Sequence, residues 1–389
     1  MGAIRQSRLH RRRGFSLLEL SIVIAIISVV AVMGLEMAAA FLSRTAYQNT
    51  QDAANTVDAA LVKYRTVYGR LPCPARLNLP ITDVNYGKED CTAHTDITTV
   101  NFASPNDTVA EMPGGISSIN MTDGGSGYVE NPVNSSAFTV TITDTTTITA
   151  GPAQATAHID SNGTIQYISF DSANNDTPGY GFKTGDALNI NLSAGVGGTA
   201  PTAATVTATI SSIRAGALPV RDLDLPLNTE LDGFGNKFMY YVSYDLADPT
   251  ATAGSYRFAT EGGVLQVRQG PLAEPCDSTT TTCTILQNGA AYAIISPGKD
   301  QRGAYNKRGA KLNDCIPSVQ AFFQIAPDAQ NCKFEAPTGS NLSISFAAVP
   351  PSAATTTPQG VIYNNLFNNG TSYPLYSDDI IVTRMKSDL

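Results

Sequence analysis

The strongest pattern along the chain is a change from polar to apolar at position 14. Residues 1–14, MGAIRQSRLHRRRG, are basic and polar, and Phe15 to Leu35 then runs FSLLELSIVIAIISVVAVMGL with one charge, Glu19. A helix over that stretch would be about 31 Å long, enough to cross a bilayer core. The basic flank should stay cytoplasmic and send the rest outward. A cleaved secretory signal fits badly, because the apolar run is too long and lacks a small-x-small site. Glu19 stands out, since a carboxylate at bilayer depth costs roughly 2.5–3.5 kcal/mol and usually has a partner. No Lys, Arg or His lies between Phe15 and Arg44. The partner is then either the lipid headgroups or a positive charge on another molecule.

From Glu36 to Tyr68 there is no proline, and Met37, Phe41, Tyr47, Val57, Leu61, Tyr64 and Tyr68 recur at helical spacing among Gln48, Asn49, Gln51, Asp52 and Asn55. The pattern predicts one helix from Phe15 to about Tyr68, roughly 80 Å long. Its second half would face a globular domain of its own. The aromatic stripe is expected in the core. Gly69 and Pro72 end the helix.

Beyond it the periodicity shortens to two. Phe138–Ile142, Ala155–Ile159, Leu188–Leu192 and Val206–Ile210 alternate apolar and polar positions and read as strands. The segment also repeats at about 50 residues. Gly115–Ile119 corresponds to Gly163–Ile168, Ser126-Gly-Tyr128 to Pro178-Gly-Tyr180, and Ala155–Ile159 to Val206–Ile210. Two similar β modules over 101–213 follow, with a weak resemblance to Gly-Tyr-punctuated repeats of phage-tail and surface-display proteins. Asp378–Val382 reads as a last strand.

Composition sharpens this division. The 389 residues suggest two or three domains, and 42% hydrophobic residues supply a core. The net charge is −8, although the leader alone carries Arg5, Arg8, Arg11, Arg12 and Arg13, so the remainder is more acidic still. That disfavours nucleic acid as a partner. Residues 101–213 hold no cysteine and one basic residue, Lys183. The six cysteines fall in near pairs, Cys73/Cys91, Cys276/Cys283 and Cys315/Cys332, with no zinc spacing. They are disulfide candidates in an oxidising compartment, although six cysteines permit 15 pairings.

Arg11-Arg-Arg-Gly14 followed by Phe15-Ser-Leu-Leu-Glu19-Leu resembles the signal of type IV pilins and type II secretion pseudopilins. The resemblance implies cleavage between Gly14 and Phe15 by a prepilin peptidase, which also methylates the Phe15 amine. It implies that Glu19 pairs with the free amine of a neighbouring subunit. Leu231-Asp-Gly-Phe-Gly-Asn236 with Phe238–Tyr241 resembles the Asp-Pro-Trp-Gly-Asn turn and strand of major pseudopilins, Gly233 and Phe234 replacing proline and tryptophan. Ala291–Ser296 with Gly298-Lys-Asp300 resembles a second strand and turn of those proteins. Acids in that family's loops hold calcium. Asp300 and Asp314 offer too few ligands, so no metal is expected.

Catalytic signatures are missing: no G-x-S-x-G, P-loop, complete G-x-G-x-x-G or HExxH occurs. Of the histidines, His10 lies in the leader, His158 in a strand, and His94 stands apart. The carboxylate pairs Asp222/Asp224 and Asp378/Asp379 read as solvated. Neither an enzyme nor a cofactor is expected.

These features together predict an α+β chain. A leader (1–14), a membrane and filament-core helix (15–35) and an amphipathic helix (36–68) precede an antiparallel pilin-like head (69–100 and 214–389) carrying an inserted all-β domain (101–213). The expected role is a minor or tip subunit of a type IV pilus-like filament. It would be single-pass in the inner membrane with its head in the periplasm, and later on the cell surface. Other pilin subunits and the prepilin peptidase are the expected partners, with a surface ligand for 101–213. A secretion pseudopilin and a monomeric membrane-anchored binding protein are the alternatives.

Overall fold

A computed structural model describes residues 17–92, 110–128, 137–145, 151–170, 176–192, 202–250, 262–269, 284–299, 301, 304–312, 361–363, 380–385 and 389, apart from some side chains within elements, among them those of 19 and 29–40. Two compact units result, Met1–Gln48 and Asn49–Leu389. Helix α1 covers Leu17–Tyr68. Gly69 ends it in the left-handed region (φ 69°), and its N–H donates to the Arg65 carbonyl at 2.8 Å.

Within the second unit, α1 buries Thr50, Ala54, Val57, Leu61 and Tyr64, spaced alternately four and three residues apart. Other members of the expected stripe do not join them. Tyr47 is only partly buried and Phe41 is exposed, both in the first unit, while Tyr68 continues the 50–54–57–61–64 spacing but is exposed as the last residue of the helix. Tyr68 instead rests on Tyr64, ring centres 4.3 Å apart.

The strands are β1 (Ala110–Asp123), β2 (Ala137–Asp144), β3 (Ala153–Ile159), β4 (Ile165–Ser169), β5 (Leu188–Leu192), β6 (Thr205–Ala217), β7 (Met239–Ser243), β8 (Leu265–Gln269), β9 (Thr284–Ser296), β10 (Val361–Tyr363) and β11 (Ile380–Met385). A one-turn helix α2 (Tyr244–Ala247) follows β7. Among the described residues the larger sheet runs β1-β6-β7-β9-β8-β10, with β11 also beside β9. Its pairings are antiparallel except β10 on β8, which is parallel and departs from the purely antiparallel head expected.

Alternation along β7 and β9 explains their run of bulky residues. Tyr240, Val242, Tyr292 and Ile294 pack on one face with Ala54, Val57, Leu61 and Tyr64 of the helix. Met239, Tyr241, Ala293 and Ile295 pack on the other with Ala75, Leu77, Val264 and Val267. A strand buried on both faces loses polar alternation and keeps only its ladder.

Strands β4-β3-β2-β5 make a second sheet around a separate core of Phe138, Val140, Ile142, Ala155, Ala157 and Ile165. Ile116 of β1 enters this core, with Ile119, Met121, Ala208 and Ile210 at its margin. The two repeats interlock there. First strand β1 pairs with β6, the last strand of the second repeat, and β4 opens the second repeat by pairing with β3, the last of the first. The matching glycines Gly127 and Gly179 both take positive φ, 82° and 69°. Position 213, expected to end the inserted segment, falls inside β6: Val206–Ala215 face β1, and Ile213–Ala217 face β7.

Candidate functional site

The first part of the site is the amino-terminal stretch of α1, in the first unit. Leu17, Leu18, Leu20, Ile22, Val23, Ile24, Ile26 and Ile27 are all about half exposed or more, with Leu17 at 88%. Apolar residues exposed around a whole helix are those of a segment whose surroundings lie outside its own chain. Its hydroxyls are turned inward. Ser21 and Ser28 donate to the carbonyls of Leu18 and Ile24 at 2.8 and 2.7 Å, which hides their polarity against the backbone. Gly14 and Phe15 lie outside the described residues, as does the Glu19 side chain. Among the described residues no helix is long and apolar enough to cross a membrane. The run expected to do so includes Phe15 and the side chains of Glu19 and 29–35, which are not among them.

The second part is the seat that holds the lower helix on the head. Asp232 organises it. Its carboxylate accepts from the N–H groups of Phe234 and Asn236 at 2.9 and 2.8 Å, from Ser296 Oγ at 2.7 Å and from Asn236 Nδ2 at 3.3 Å. Asn236 also donates to the Gly298 carbonyl at 2.9 Å. The two motifs, Asp232–Asn236 and Ser296–Gly298, are therefore one knot around the buried side chains of Asp232, Asn236 and Ser296. Gly235 turns the loop at φ 86°. Burial raises the Asp232 carboxyl above its ordinary range, against the pull of its donors. The Gly233 N–H donates to Thr50 Oγ1 at 2.9 Å and fastens the knot to α1.

Further along, Asp58 receives the Arg384 guanidinium on both oxygens (Nη2 at 2.6 Å, Nε at 3.0 and 3.1 Å) and the Tyr292 hydroxyl at 2.6 Å. This fork joins the helix to β11 and β9. At the helix end Arg70 pairs with Glu89 at 2.7 Å, Tyr64 donates to the same carboxylate at 3.2 Å, and the Cys73 N–H donates at 3.0 Å. Burial pushes the Glu89 carboxyl up, but these donors outweigh it and leave the net shift below the usual value. Cys73 and Cys91 form a disulfide beside it. They and Glu89 cluster closely enough to suggest metal ligands, yet both sulfurs are already bonded to each other.

Other named residues fall elsewhere. Cys276, Cys283, Cys315 and Cys332 lie outside the described residues, with Asp300, Asp314, His94, Asp378 and Asp379. Asp222 is not a solvated acid: it accepts the Glu89 N–H, and burial raises its carboxyl. His158 stacks on Tyr167, ring centres 4.3 Å apart, with Ser169 Oγ 3.3 Å from Nε2. Sequence reasoning passed over Thr50, Asp58 and Arg384. Only the position of Thr50 and Asp58 beside a helical stripe could have drawn attention to them.

Residues 9–35 match the family model of the prokaryotic N-terminal methylation motif, the signal of type IV pilins and pseudopilins. Such a signal implies processing by a prepilin peptidase, association with other subunits, and a place at the membrane or in a surface filament. The motif points towards a structural protein and does not exclude an activity of the remaining residues. No curated protein and no solved structure matches the chain.

Proposed function

We propose, from the premise that the chain carries the amino-terminal signal of type IV pilins and pseudopilins, that it is a minor or tip subunit of a type IV pilus-like filament. It begins as a single-pass inner-membrane protein. The peptidase cuts between Gly14 and Phe15 and methylates the Phe15 amine. Glu19, in the apolar run, then pairs with the amine of a neighbouring subunit as Ile22–Leu35 enter the filament core. The observation that carries this reading is the methylation motif in register with a helix whose apolar side chains are exposed from Leu17 to Ile27. A carboxylate in that setting needs a positive partner, and a docking amine supplies it.

The head, stapled to the lower helix, displays residues 101–213 outward for a surface or a partner. Their bulk supports a minor or tip position, since so large a projection is awkward to repeat at every step of a fibre.

Amino-terminal sequencing and intact mass of protein from sheared filaments test this. The expected species starts at methylated Phe15. A chain that keeps Met1 and stays in the membrane would overturn it. Glu19→Gln should be cut normally but recovered from filaments at a small fraction of the wild-type level; wild-type recovery refutes the pairing role. Gold label against 101–213 should appear at fibre ends or sparsely, and label along every fibre would sink the minor-subunit reading. A secretion defect with no surface fibre would instead identify a pseudopilin.

A further inference from the structure

Beneath the Asp232 knot lies a pair of groups that the seat does not use. Glu230 and Lys237 are both fully buried, with Nζ 3.0 Å from Oε1. The backbone holds them across the base of one turn: the Phe238 N–H donates to the Glu230 carbonyl at 2.9 Å, and Leu231 bridges Lys237. Nζ donates to the Leu79 carbonyl at 2.8 Å and sits 4.3 Å from the centre of the Tyr86 ring. The amine and carboxyl thus touch without forming an aligned hydrogen bond, and neither Glu230 oxygen nor the Tyr86 hydroxyl beside it has a well-formed partner.

The geometry points to a covalent modification site: the Lys237 amine condenses with the Glu230 carboxyl to a side-chain amide, closing the turn 230–237. A bond forms between Nζ and Cδ, the bond from Cδ to one carboxyl oxygen breaks, and that oxygen leaves as water with protons from the amine and the acid. Nothing is oxidised or reduced, and no co-reactant is required.

Three features favour it. Nζ is held 3.0 Å from one carboxyl oxygen, one bond from the carbon it would attack, so the two groups are already positioned against each other. The dry site favours the neutral acid and amine, which are the reactive forms. Burial pushes the Glu230 carboxyl up to about 7 and the Lys237 amine down. Finally, the amide leaves no group able to ionise in the dry site, where the desolvation of a charged pair is offset poorly.

Mass spectrometry of the full chain, extracted from membranes or filaments and reduced, provides the test. An amide-linked Lys237 resists trypsin, so residues 222–257 should appear as one peptide, lighter by one water, with no fragment ladder between 230 and 237. Lys237→Arg should restore cleavage and full mass. A wild-type digest holding only the unmodified peptide that ends at Lys237 overturns the proposal. So does loss of water in that segment that survives in Lys237→Arg.

Discussion

Asp232 shows how one side chain can carry a junction. Removing its carboxylate leaves Ser296, Asn236 and two backbone N–H groups without their acceptor in a site closed to water. Asp232→Ala should therefore cost about 3 kcal/mol, since unmet buried donors cost roughly 1–3 kcal/mol each and share relaxation. Urea unfolding of the full chain in detergent would show it as a lowered midpoint. Asp232→Asn, which keeps one acceptor oxygen, should lose less. Glu89 makes a prediction in pH. Its folded carboxyl titrates below its unfolded value, so it contributes stability above about pH 4.5 that is lost as pH falls through the folded value. The stability gap between wild type and Glu89→Gln should narrow between about pH 6 and about pH 3. A constant gap would show that Arg70, Tyr64 and Cys73 do not tune this group.

Among the elements, α1 was the most legible in sequence, because thirty-odd residues without proline and a Gly-x-x-Pro stop leave few other options. Even there the buried face was only partly visible. Thr50 and Ala54 belong to it but are small or polar, whereas Phe41 and Tyr68 are large and stay outside. The strands β2, β3, β5 and β6 announced themselves by alternation. β7 and β9 were found through motif resemblance, since burial on both faces erased their period. The meeting of Asp232 with Ser296, and of Asp58 with Arg384, was not legible at all. Each spans dozens to hundreds of positions and depends on which strands lie beside β9. The Asp58 fork carries an element-scale prediction. Arg384→Met should speed amide exchange in β11 and in α1 near Asp58, at about 1–2 kcal/mol, because Tyr292 still serves the carboxylate. Unchanged exchange in either element would show that the fork does not hold them together.

Over the whole molecule, the Cys73–Cys91 bond closes a loop of sequence separation 18 at the point where helix gives way to head. Cys91→Ser should lower stability by about 3 kcal/mol, in line with loop-closure expectations. Thermal unfolding should show the same loss in wild type under strong reductant, and a wild-type midpoint indifferent to reductant would contradict this. The change of composition near 213 is real, as Arg214 is the first basic residue after Lys183, but hydrogen bonding does not respect it. Strand β6 carries on through that point, leaving one core and entering another.

That uninterrupted strand has a mechanical consequence. Tension on the outer part of β6 travels along that strand, with β1 paired beside it, into the middle of the larger sheet. It loads the rungs between β6 and β7 together and lengthwise instead of peeling them one by one. Such an attachment behaves like a blade with its tang set in the handle. Force on the outer part reaches the grip without passing through a joint.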